Sequence, residues 1–522
     1  KIEFVPPTPD AVLEQRVKAL AGDKLANALK IVAKHERNDS VDAICDETVA
    51  ALAADFPERE REINAFEGSA TFKVTAEFKA DGVNLLITID CGIADVEPVT
   101  RARDAGIDVI ITDHHMVGDV IPPAYAIVNP KQADCEYPEK MLCGAGVIFK
   151  VIQELVKQPE FAITPGWEKW LLDMVGIATL SDMVPLRGEN RIFGFYGLAV
   201  LKKSKRPGLV TLLRKVGVSQ RDLTEDDIGF SIGPRINAAS RMGVPMDAFK
   251  LLATQSDAEA RVFTDYLDKV NNQRKGAVAQ LVKEVKHELA TRYTEQIPAA
   301  IVMGNPNWRP SLVGLVANTC AEEFGRPTFI WGRDGDGVLK GSCRSGGSSK
   351  SVLEVMKNAP EGTFLQFGGH HGAGGFSVSL DMVHTLPEVL SESAKNMLHA
   401  PQNDTILIDA VLQLDDISQD TYNHVSRLSP YGKDNPKPLF VFHRITVANI
   451  EQFGKAKEHM KIQSKSSKGI MKTMISFFSN PKSFSYEPSK NKECTIIGHI
   501  EKSTFAGRTE LRVRVVDVIS PD

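Results

Sequence analysis

The chemistry this chain can do is concentrated where apolar runs break off into acid and imidazole. Residues 83–89 form an almost unbroken apolar run that ends at Asp90-Cys91-Gly92. A second run, Val109-Ile110-Ile111, ends just before Asp113-His114-His115. A third, Ala126-Ile127-Val128, stops at Asn129-Pro130. Carboxylate oxygen and imidazole nitrogen suit Mn²⁺, or Mn²⁺ together with Mg²⁺, better than a structural zinc. Two such ions about 3.5–4 Å apart can activate water and clamp a phosphodiester. The bland alternative is that Asp90 closes a strand-end turn and the histidines cap a helix. Clustered charge beside a sheet is costly when uncompensated, so the two strand ends together favour a cation.

For these groups to meet, the runs must be neighbouring strands. A helical stretch over residues 96–105 separates the first two runs, and strand, helix, strand at this spacing reads as a βαβ unit with buried parallel strands. Ligands of such sheets bind at the carboxyl ends of the strands, which lie about 4.8 Å apart. Asp90 and the Asp-His-His group should therefore converge. Residues 1–80 read mostly as helix, and residues 141–205 as helices with one loop at Ser181-Asp182-Met183-Val184-Pro185. A long helix is predicted over 257–293, with Val278, Leu281, Val282, Val285 and Leu289 on one face. It could tie two domains together. Residues 298–380 return to an α/β pattern, and after 404 short strands and breakers predict a small β-barrel.

Composition sets the class. With 522 residues the chain predicts two to four domains, and 43% hydrophobic residues allow each a core. The net charge of −5 excludes a uniformly basic coat but not a local basic groove. Seven scattered cysteines without a CxxC pair predict a reducing compartment. No run is long enough to span a membrane, and no secretory leader opens the chain, so the cytoplasm is expected. The chain starts at Lys1 rather than methionine, which predicts that the natural N-terminus lies upstream.

Several segments, in order, resemble the DHH phosphoesterase superfamily and its RecJ branch. Ile89-Asp90-Cys91-Gly92-Ile93 and Thr112-Asp113-His114-His115 resemble the second and third DHH motifs. Leu180-Ser181-Asp182-Met183-Val184-Pro185-Leu186 resembles the fourth, while Asn129-Pro130-Lys131 and Leu142-Cys143-Gly144-Ala145-Gly146-Val147 resemble RecJ's intervening segment. The resemblance implies Asp90, His114 and Asp182 as metal ligands, His115 near the scissile phosphate, and Asp113 orienting the histidines from behind. Asp90, His114, His115 and Asp182 would then be the catalytic set, around two Mn²⁺ or Mg²⁺ ions. One departure stands out. The family's first motif, an Asp-x-Asp-x-Asp-Gly stretch with two more ligands, is not in this sequence. Lys79-Ala80-Asp81-Gly82 resembles only its tail.

The nucleic-acid contacts are read the same way. Gly233-Pro234-Arg235-Ile236-Asn237-Ala238-Ala239, followed by Arg241, resembles a RecJ signature, implying that Arg235, Asn237 and Arg241 hold phosphates. Gly341-Ser342-Cys343-Arg344-Ser345 and the glycine-rich stretch at Gly368-Gly369-His370-His371-Gly372 resemble the DHH-associated domain. Ser342, Arg344, Ser345, Gly369, His370 and His371 would be its contacts. Glycines let backbone N–H groups approach an anion, although tight turns use them equally. Between residues 455 and 482 stand seven lysines and one acid, Glu458, with Phe477 and Phe478 interleaved. That pattern suits an OB-fold groove, with Lys461 among its contacts by resemblance.

The expected fold is therefore α/β: two α/β lobes, a DHH domain (81–250) and a DHH-associated domain (296–400), joined by a long helix (251–295). A helical N-terminal segment (1–80) precedes them and an OB-like β-barrel (401–522) follows. The resemblance implies a metal-dependent 5′-to-3′ exonuclease of single-stranded DNA in repair and recombination, working with single-strand-binding protein and a helicase and away from membranes. Two alternatives stay open. One is a DHH phosphodiesterase of short oligonucleotides or cyclic dinucleotides. The other is a degenerate relative that only binds single strands.

Overall fold

Three short parallel strands carry the acid and histidine groups. The computed structural model describes residues 75–80, 82–294, 296–334, 337–346, 351–369, 371–395, 406–454, 457–505 and 508–521. The helix expected over 1–80 lies outside them except for Thr75–Ala80. His370 also lies outside them.

Strands β1 (Leu85–Ile89), β2 (Asp108–Thr112) and β3 (Ala126–Val128) form a parallel sheet in that order. The helix Val96–Asp104 crosses from β1 to β2 and buries Val99 and Ala102 against Ile107, Val109 and Ile111. The apolar runs are nearly continuous because both faces of β2 are covered.

A second sheet has the order β4-β5-β6-β8-β7, comprising β4 (Ile301–Gly304), β5 (Thr328–Arg333), β6 (Leu339–Arg344), β7 (Gln366–Gly369) and β8 (Ala373–Val378). Only β4 and β5 run parallel; the remaining pairs are antiparallel.

The predicted long helix is Asp257–Arg292, started by Ser256, whose hydroxyl accepts the Glu259 N–H. At 1.5 Å per residue it is roughly 54 Å long. Its first half packs Leu267 against Leu209, Leu212 and Leu213. Its second half packs Val285 and Leu289 against Ile301, Val316 and Ile330. It thus joins a helical core to the core of the second sheet.

The chain divides into two units. One runs to Ser181 and resumes over Gly197–Gln402; the other comprises Asp182–Tyr196 and Asn403–Asp522. In the second unit, β10 (Phe440–Phe453) pairs with both β11 (His459–Lys465) and β13 (Glu493–Phe505). Strands β12 (Met471–Ser476) and β14 (Arg508–Ile519) close the five into a ring, and β9 (Ala410–Val411) extends it beside β10. Phe442, Val447, Met460, Ile462, Met474 and Ile496 fill its core. The segment from Asp182, expected from the sequence to stay within 81–250, groups here instead. The Leu186 N–H donates to the Lys433 carbonyl (2.8 Å) and the Arg191 guanidinium to that of Leu428 (3.0 Å).

Burial makes three cysteines poor nucleophiles. It pushes the thiols of Cys320 and Cys494 up to about 11 and that of Cys343 to about 12. Reactivity follows the thiolate, so at pH 8 iodoacetamide should spare all three in the native chain and modify them in denaturant. Peptide mapping checks this, and native labelling of Cys343 at a free thiol's rate would contradict the packing.

Candidate metal centre and nucleic-acid contacts

The parallel register pairs Ile89 with Thr112, so Asp90 and Asp113 stand side by side one residue past the strands. The Asp90 N–H donates to the Thr112 carbonyl (2.9 Å), and that of Asp113 to Val128 (3.0 Å). Asp90 turns sharply there, with φ of 65°, a left-handed conformation that aspartate tolerates better than most residues. Its Oδ1 lies 3.0 Å from Nε2 of His114. Potential ligand atoms of Asp90, His114 and His115 all lie within 4.8 Å of one another.

Asp113 is the buried support of this cluster, 1% exposed. Its Oδ1 accepts the N–H groups of His114 (2.7 Å) and His115 (3.1 Å), and Nδ1–H of the His115 ring (2.7 Å). Its Oδ2 accepts the Ile93 N–H at 3.0 Å. Burial alone would raise the Asp113 pKa, but these hydrogen bonds outweigh it and hold the carboxyl below its ordinary value. A carboxylate can only accept, so Nδ1 of His115 carries the proton and Nε2 is left as a donor of electrons. Burial, then the charges of Asp113, Asp95 and Asp90, push the Cys91 thiol up. One carboxylate and two imidazoles make a donor set that fits Mn²⁺, with Mg²⁺ served by the carboxylate. Asp182 is exposed and begins the segment that belongs to the second unit.

The arginines differ in their surroundings. Arg235 is engaged within the protein: its Nε donates to Asp268 (2.8 Å) and one Nη to the Ser231 carbonyl (2.8 Å). Arg241 donates from one Nη to the Ser311 carbonyl (2.8 Å), at the start of the helix Pro310–Phe324. Burial lowers its pKa. Arg344 is lowered by burial and then by the charge of Arg241. Arg274, on the long helix, is lowered by the same two causes, and its Nε and one Nη both donate to Oδ1 of the buried Asn271. Among the described residues, none of these three arginines is in an ion pair with a carboxylate. Sequence reasoning missed Arg274. The Asn271-x-x-Arg274 spacing, which puts both on one helix face, was the available signal.

Ser342 and Arg344 alternate onto one face of β6, and a methyl at Gly314 would stand 3.2 Å from Ser342 Oγ and 3.3 Å from Arg344 Nη2. Ser345 is buried, its N–H donating to the Gly372 carbonyl at 3.0 Å. His371 and Asn237 are exposed, and Gly369 has φ of 147° opposite Gly374.

On the second unit Lys461 pairs with Glu451 at 3.1 Å, and Lys472 donates to the Ile417 carbonyl at 2.7 Å. The cations beside Phe477 are instead Arg512 and Arg514, 5.7 and 5.4 Å from its ring centre. His459 stands edge-on to both Phe477 and Phe478, and Phe478 is 84% exposed.

Comparison with known proteins gives this arrangement its context. The DHH family N-terminal domain model matches residues 20–179, reaching into the segment for which the sequence alone offered no assignment. The RecJ OB domain model matches residues 408–517. The single-stranded-DNA-specific exonuclease RecJ of Escherichia coli K12 is 33% identical over 387 residues, covering 71% of this chain and 67% of that protein. Its Bacillus subtilis counterpart is 34% identical over 389 residues. That match covers 74% of this chain but only 48% of the relative, so the chain spans about half the length of that protein. A crystal structure of Thermus thermophilus RecJ in complex with Mn²⁺ is similar with a TM-score of 0.71 and 25% identity, covering 86% of this chain and 64% of that one. A second structure of the Thermus protein holds Mg²⁺.

Proposed function

The chain belongs to the RecJ family, and we propose from that premise that it hydrolyses the phosphodiester bonds of single-stranded DNA, 5′ to 3′, with divalent cations. The observation that carries this reading is the Asp90–His114–His115 cluster at the ends of two parallel strands. Asp90, His114 and Asp182 would hold a pair of Mn²⁺ or Mg²⁺ ions, with His115 facing the scissile phosphate. A cation there supplies Lewis acidity toward water and phosphate oxygen. Asp113 fixes the His115 ring so that Nε2 faces away from the buried carboxylate.

The strand itself would be gripped by phosphate contacts. Arg241, Arg274 and Arg344 hold like charges together without a carboxylate, and an anion relieves that repulsion. Ser342, Ser345, Asn237, Gly369, His371 and Arg235 are proposed as further contacts. On the ring of strands, the exposed Phe478 and the arginine-flanked Phe477 suit base stacking, with Lys461 at the rim. Family membership is also the ground for a cytoplasmic role in repair and recombination beside single-strand-binding protein and a helicase.

The test is degradation of a long 5′-phosphorylated strand by the purified chain. We expect mononucleotides released from the 5′ end with manganese, none after chelation, and little attack on duplex. Faster turnover of a dinucleotide would instead identify a small-substrate phosphodiesterase. The first acidic motif is not in this sequence, which favours one rival specifically: binding without cleavage at millimolar manganese would identify a relative that only holds single strands.

A further inference from the structure

We infer that Gly144 is a positioning residue for Asp90: the lack of a side chain at 144 is what lets the Asp90 carboxylate stand against His114. The inference rests on the metal reading above and adds a residue to it. Gly144 is buried and opens the helix Gly144–Lys157, whose cap residue Cys143 makes no side-chain capping bond. A methyl at Gly144 would lie 2.5 Å from Cβ of Asp90 and 2.6 Å from its Cγ, with Oδ1 nearer still. Real Cβ atoms do not approach others so closely.

Rotation of the Asp90 side chain cannot relieve this, because Cβ itself is in the way. Its main chain is held by the 2.9 Å bond to Thr112 and is already in a left-handed turn. The helix cannot simply retreat either, since Val147, Phe149 and Val151 are buried in the same unit. A side chain at 144 must therefore move the carboxylate from its place 3.0 Å from His114 Nε2.

The experiment uses the full chain with Mn²⁺ alone as probe, its binding followed by electron paramagnetic resonance beside the metal-free melting temperature. Gly144→Ala should weaken manganese binding at least about tenfold, the lower end for groups that orient metal ligands. Gly276→Ala, where a methyl meets nothing within 4 Å, should leave it unchanged. A folded Gly144→Ala that binds manganese as the parent does would overturn the inference. A merely structural glycine would lower the melting temperature without moving that affinity. Should Gly144→Ala not fold, Asp90→Gly removes the clashing Cβ. The pair Asp90→Gly and Gly144→Ala should then melt near Asp90→Gly alone, and a double variant as unfolded as Gly144→Ala would overturn the contact. Manganese binding that survives Asp90→Ala would instead sink the metal reading itself, a failure visible without touching residue 144.

Discussion

His114→Ala should abolish degradation of single-stranded DNA while the strand still binds. The imidazole is only 12% exposed, and its Nε2 lies 3.0 Å from Asp90. His115, tethered through Nδ1 to Asp113, already holds its own place in the cluster. Loss of a group that merely orients a metal ligand costs about 10–100-fold, so loss of a ligand should exceed the upper figure. Asp90→Ala should behave likewise. The proposed strand contacts lie on other elements, so affinity for a labelled oligonucleotide should stay near that of the parent. Single-turnover cleavage and binding, measured on one preparation, separate the two effects. Cleavage at the parental rate would remove His114 from the centre, and a matched fall in affinity would mean that the substitution had disturbed the fold rather than the chemistry.

The grouping of Asp90 with His114 and His115 was legible because these residues sit at the ends of buried parallel strands. Such strands are continuous apolar runs, so β1 and β2 announce where they stop, and the polar residues after them fall at the sheet's carboxyl edge. The long helix was legible to within a residue at each end because Ser256 caps it and its apolar face is periodic. Pairings across long sequence gaps were not. Arg512 and Arg514 reach Phe477 only because β12 pairs with β14, with Ile475 opposite Arg514. The lysine run drew attention instead, yet Lys461 is paired with Glu451. The partner of Arg235, Asp268, stands 33 residues away on another helix, and no local spacing signals it. The grouping of Asp182–Tyr196 with the C-terminal unit is equally invisible, since it depends on Leu186 meeting Lys433.

That difference among arginines leads to the second large effect. Arg241→Ala or Arg344→Ala should weaken single-strand binding about 10–100-fold, the equivalent of one charged hydrogen bond of about 1.5–3 kcal/mol. The salt dependence should flatten as well, by about 0.7 in the log–log slope for each single-strand phosphate that the protein no longer neutralises. The charge of Arg241 already depresses Arg344, so both can serve one anion, and the double variant should lose less than the sum of the singles. Arg235→Ala should flatten the slope less, because Asp268 and the Ser231 carbonyl already occupy its guanidinium. Fluorescence anisotropy across a salt series measures all four chains. A slope unchanged in Arg241→Ala would reject the phosphate contact. A larger change in Arg235→Ala would mean that the strand displaces Asp268 and that the ion pair is the resting state of a binding residue.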